Sequence, residues 1–76
     1  MAFRSMVRVT TVSGLFHARV IAARLGAEGI VTELVGAVGD TYPLGGVIDI
    51  YVHADQARQA SEILLADAVD AVYADL

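Results

Sequence analysis

The sequence predicts a small α+β fold, and three observations carry that reading. Met6 to Val12 (MVRVTTV) and Val47 to Val52 (VIDIYV) are short, β-branched and alternating, as half-buried strands are. The stretches from Leu15 to Glu28 and from Asp55 onward repeat apolar residues at intervals of three and four, the period of an amphipathic helix. Four of the seven glycines and the single proline, Pro43, gather in Gly36 to Gly46, which therefore reads as a connecting loop.

At 76 residues the chain has room for one domain, spanning 1–76, with its core over about 6–66 and a helical extension over 67–76. A chain this short buries only about 60% of the surface its unfolded form exposes. The hydrophobic fraction is 57%, but much of it is alanine, so the core is expected to be thin. Small domains gain support from disulfides, a metal or a partner subunit. With no cysteine, disulfides and thiolate metal sites are excluded, and self-association is the expected support.

The net charge of −4 comes from nine acids against five arginines, Arg4, Arg8, Arg19, Arg24 and Arg58, which are scattered. Affinity for phosphate depends on clustered cations, so neither nucleic acid nor an anionic membrane surface is an expected partner. Arg4 and Arg8 interrupt any apolar leader, and no stretch approaches the roughly 18 apolar residues of a membrane span. A cytoplasmic location is expected.

Strand one, Met6 to Val12, is expected to place Val7, Val9 and Thr11 on one face and Arg8 and Thr10 on the other. Ser13 and Gly14 break the alternation, and Ser13 is a suitable N-cap for helix one. In that helix Ala18, Ile21, Ala22 and Leu25 form the apolar stripe, while His17, Arg24 and Glu28 fall on the opposite side. Gly29 suits the left-handed position that ends a helix. Ile30 to Val35 is strand two, and Val47 to Val52 is strand three, with Ile48, Ile50 and Val52 toward the helices. Helix two starts at Asp55, whose charge suits the positive end of the helix dipole. Its inner side carries Ala57, Ala60, Ser61, Ile63 and Leu64, and Arg58 and Glu62 form an i,i+4 surface pair. The apolar stripe continues through Leu65, Ala68, Val69, Val72, Tyr73 and Leu76, and needs a surface to dock on: its own core first, otherwise a neighbouring subunit.

A right-handed crossover from strand one to strand two leaves strand three between them. The predicted architecture is thus a ferredoxin-like βαββα sandwich, a three-stranded antiparallel sheet of order 2-3-1 with two helices on one face, lacking the last strand of the full motif. Strand one becomes an open edge, and the second sheet face has no helix over it. That face is expected to present Arg8 and Thr10 from strand one, Val31, Glu33 and Val35 from strand two, and Val47, Asp49 and Tyr51 from strand three. Asp49 is expected to pair with Arg8 on one side and to tolerate Glu33 on the other. The face is more apolar than a monomer normally leaves wet, which predicts a homodimer or higher homo-oligomer, through this face or the strand-one edge.

The runs TVSGLFHARVIAARLGAEGIVTEL (Thr11 to Leu34) and GGVIDIYVHADQARQASEILLA (Gly45 to Ala66) resemble the two halves of a family of small bacterial domains described as prokaryotic signal-transducing proteins. The resemblance rests on the pattern of strand, helix and "GG…V" strand, and it covers most of the chain. It implies a fold similar to the PII-like regulators of nitrogen signalling, which oligomerise through their sheets, and it brings no catalytic residues. Phe16 and His17 stand where the family's helix-one pattern carries a glutamate, so no role of that acid transfers. Some relatives adjoin a cysteine-based zinc ribbon, for which this sequence has no cysteine.

The loop offers the first candidate ligand or partner site, Gly36, Gly39, Asp40, Thr41, Tyr42 and Pro43, since loops on a rigid sheet often carry function. It lacks the GxxxxGK[ST] pattern and any cation, so a nucleotide is not expected there. His17 and His53 have no HxxxH or HxxE spacing, and neither a metal nor a cofactor is expected. There is no GxSxG, no HExxH and no cysteine nucleophile, and no catalytic residue is assigned. The expected function is a non-catalytic regulatory or interaction module that self-associates and binds a small molecule or a protein partner. Two alternatives stand beside it: a small enzyme with an inter-subunit site around Asp49, and a purely structural subunit in contact through Leu65, Val69, Val72 and Leu76.

Overall fold

The computed structural model describes residues 5–36 and 46–74, without the side chains of residues 73 and 74. Strand β1 (Met6–Ser13) leads to helix α1 (Leu15–Ala27), strands β2 (Thr32–Gly36) and β3 (Val47–His53), a single 3-10 turn (Ala54–Gln56) and helix α2 (Ala57–Ala74). β3 is central and antiparallel to both neighbours, so the sheet order is β1-β3-β2 as the crossover argument requires. The fold is the α+β, ferredoxin-like βαββα arrangement.

Each end of α1 is set by a glycine. Gly14, at φ 88, takes the N-cap position with no side-chain cap, while Ser13 stays in the ladder opposite Val47. The expected Ser13 cap is therefore corrected: the Gly14 N–H donates to the Gly46 carbonyl at 3.0 Å, which holds Ser13 in the strand. At the other end Gly29, at φ 82, donates to Gly26, and Ile30 donates to Leu25 at 3.0 Å. This is a Schellman closure, and its usual apolar contact is present, because Ile30 and Leu25 are buried in one cluster.

The core fills the space between the helices and one sheet face. Val12, Ala18, Ile48 and Ile50 form one cluster, and Leu25, Ile30, Val52 and Ala60 form the other. Val9 and Ile21 touch both and join them. Among the described residues, only Leu25, Ile50 and Val52 are large side chains fully withdrawn from water, which makes the core as thin as the alanine content implies.

The alternation of β1 does not run unbroken. Its register slips between Arg8 and Thr10, so Arg8 stands opposite Tyr51 while Thr10 stands opposite Ile50. Val9 is the extra residue, a β-bulge that flips the parity of everything after it. Val7 and Val12 both reach the core side, Thr10 shares their face, and Thr11 turns to the open side beside Asp49. The expected placement of Thr10 on the open face is corrected to Thr11 for this reason.

α2 packs through Ala57, Ala60, Ile63 and Leu64. Beyond them every residue from Ala68 to Val72 is exposed, and Leu65, Val69 and Val72 are 66, 44 and 62% accessible. The apolar stripe of the extension therefore faces away from the chain's own core. Among the described residues, the expected ion pair between Arg58 and Glu62 is absent.

Three substitutions test this account of the core. Leu25→Ala should cost about 3 kcal/mol in urea unfolding. Gly29→Ala should cost about 1 kcal/mol through backbone strain, because open space surrounds the added methyl. Val69→Ala, on the outward stripe, should stay within about 0.5 kcal/mol of the parent.

Candidate functional site

Two surfaces of the fold are candidates for contact. The first is the sheet face turned away from the helices. Its ladder places Arg8, Tyr51 and Glu33 in one cross-strand row and Thr11, Asp49 and Val35 in the next, with Ser13 beside Val47 at the end. Asp49 therefore has Thr11 and Val35 as lateral neighbours: its expected pairing with Arg8 is made on the diagonal, while Glu33, expected at its other side, stands one row away opposite Tyr51. The bulge at Val9 and the register of β2 together cause the difference.

Asp49 is tied toward β1. The Thr11 hydroxyl donates to its Oδ1 at 2.7 Å, and Arg8 Nη1 lies 3.8 Å from the same oxygen. The longer contact is an ion pair without hydrogen-bond geometry. Arg8 is 59% exposed, so most of its donor capacity faces water. Glu33 makes no ion pair among the described residues. Around these charges Val31, Val35 and Val47 remain 57, 45 and 50% exposed.

The second surface is a cleft of about 540 Å³ on the helix side of the β1 edge, lined by Thr10, Thr11 and Val12 from β1, His17, Val20, Ile21 and Arg24 from α1, and Leu64, Asp67 and Ala68 from α2. Its volume lies in the usual range for small-molecule sites. The wall between the helices is closed by Arg24, whose Nε donates to Asp67 Oδ2 at 3.0 Å and whose Nη1 donates to Glu28 Oε2 at 2.9 Å. Hydrogen bonds to Glu28 and then Asp67 hold the guanidinium pKa above its ordinary value, so it stays charged at any pH the fold meets. Two carboxylates already neutralise this cation, and the cleft is suited to a neutral, largely apolar occupant rather than an anion.

The sequence-predicted residues divide cleanly. Arg8, Glu33, Val47, Asp49 and Tyr51 share the open face, and Thr10 lines the cleft instead. Of the loop residues, Gly36 closes β2, whereas Gly39, Asp40, Thr41, Tyr42 and Pro43 lie outside the described residues. His17 lies in the cleft, while His53 pairs with Met6 at the far end of β3 and has a buried Nδ1 without a hydrogen-bond partner. Among the described residues no three metal-ligating side chains gather. Sequence reasoning missed the Arg24–Asp67 tie, because it joins residues 43 positions apart whose meeting depends on how the helices sit.

No family model, no curated protein and no solved structure matches this chain. No described helix is long and apolar enough to cross a membrane.

Arg24→Ala should leave the global stability close to the parent's, as the loss of an exposed ion pair does. Its larger effect should be faster amide hydrogen exchange in the second half of α2, from Leu65 to Val72, while the exchange of β3 stays unchanged.

Proposed function

We propose that the protein is a non-catalytic interaction module that self-associates through its open sheet face and takes a small molecule or a protein partner in the cleft beside β1. The observation that carries this reading is the unroofed face, on which Val35 stands beside Asp49 and Val47 at the start of β3, each about half exposed, with Val31 exposed just before β2. Removing each valine from water is worth about 1 kcal/mol. Association entropy, about 4–15 kcal/mol, offsets much of the total. The assembly is therefore concentration-dependent rather than obligate.

Support for a regulatory role comes from the resemblance of the two half-chain patterns to prokaryotic signal-transducing domains of PII-like fold. Binding is favoured over chemistry at Asp49, since the Oδ1 of that carboxylate is engaged by Thr11 and faced by Arg8. The outward stripe of Leu65, Val69 and Val72 favours a second reading, in which α2 supplies a structural contact.

Sedimentation velocity over a range from a few to a few hundred micromolar separates these readings. The parent should shift toward a larger species as concentration rises, and Val35→Lys should suppress that shift. A parent that stays monomeric throughout contradicts the proposal. If Val69→Lys abolishes association and Val35→Lys leaves it intact, the contact belongs to α2.

A further inference from the structure

We infer that the open face is self-complementary: it packs on the same face of a second copy about a two-fold axis parallel to β3, with Arg8 of each copy meeting Glu33 of the other. The inference rests on the proposed self-association and adds its partner and its register.

The decisive feature is one cross-strand row. Arg8 and Glu33 both stand opposite Tyr51, one on each flank of the central strand. Neighbouring strands lie about 4.8 Å apart, so the two charges are equally distant from β3 on opposite sides. A two-fold interface brings residue i against residue j and j against i. An axis along β3 exchanges the β1 and β2 edges while keeping height along the strands, which places each Arg8 over a Glu33. Facing sheets sit about 10 Å apart with strands aligned to within about 30°, a gap that an arginine and a glutamate reaching from both sides span.

The other in-plane axis, perpendicular to the strands, fails on charge. Centred on Tyr51 it sets Arg8 over Arg8 and Glu33 over Glu33. Displaced by one row, it sets Arg8 over Thr11 and Glu33 over Val35, leaving Glu33 desolvated without a partner and Arg8 with only its 3.8 Å contact to Asp49. The strand-parallel axis also handles Asp49. Its carboxylate is drawn to Thr11 at 2.7 Å, hence toward its own β1, and the two copies' β1 strands lie on opposite flanks of the axis. The two Asp49 groups therefore lean apart, and Val35 covers Thr11 of the second copy.

Both charges have capacity for this contact. Arg8 is 59% exposed and reaches Asp49 only at 3.8 Å, and Glu33 is exposed with no ion pair among the described residues.

Charge reversal tests the register. Sedimentation velocity is read at a concentration where the parent is half associated, with thermal unfolding of each variant confirming the fold. Arg8→Glu and Glu33→Arg should each weaken association about tenfold or more, and the double variant should return to within about threefold of the parent. Where the double variant does not fold, mixing the two single variants in equal amounts must restore a dimer that neither forms alone. Single variants that associate like the parent, or failure of both restorations, overturn the strand-parallel register while leaving self-association standing. A parent that is monomeric at every concentration removes the reading beneath it as well.

Discussion

Strand β3 presents Ile48, Ile50 and Val52 to one side of the sheet and Val47, Asp49 and Tyr51 to the other, and only the first side is roofed by helices. Every other property of the molecule depends on this imbalance. Two helices are enough to bury one face of three strands. Among the described residues, the roofed side therefore holds the hydrophobic core, and the bare side holds residues that no described element covers. A thin core and an open face are two consequences of the same shortage of layers.

The bulge at Val9 shows how locally such a face is specified. By adding one residue to β1 it lets both Val7 and Val12 reach the core, although five positions apart they would fall on opposite faces of a regular strand. The same step brings Thr11 beside Asp49 and supplies the 2.7 Å hydrogen bond that inclines the carboxylate toward β1. A single inserted residue thus serves packing on one face and electrostatics on the other. On the helix side, Arg24 ties α1 to α2 through Asp67 at one wall of the cleft beside β1.

The element order, the central position of β3 and the open face were legible in the sequence, because each follows from periodicity, glycine placement and the handedness of a crossover. The parity of β1 was not. MVRVTTV is β-branched at five of its seven positions, so its pattern suits a core register before the bulge and after it. Ser13 misled for a related reason: its type suits a helix cap, but the bond from Gly14 to Gly46 keeps it in the sheet. The Arg24–Asp67 tie was hidden because helical periodicity assigns a side and not a partner. The direction of the α2 stripe was hidden too, since the sequence contains the apolar repeat but not the point, after Leu64, where the body beneath it ends.

The central claim, that a second copy covers the open face, is tested most directly by the solvent accessibility of the valine methyls. Paramagnetic relaxation from an inert soluble probe can be followed by NMR as protein concentration rises. Val31, Val35 and Val47 should become progressively protected, while Val20, which is 50% exposed on α1, serves as the unchanging reference. Equal probe access at all four valines across the whole concentration range would contradict the account.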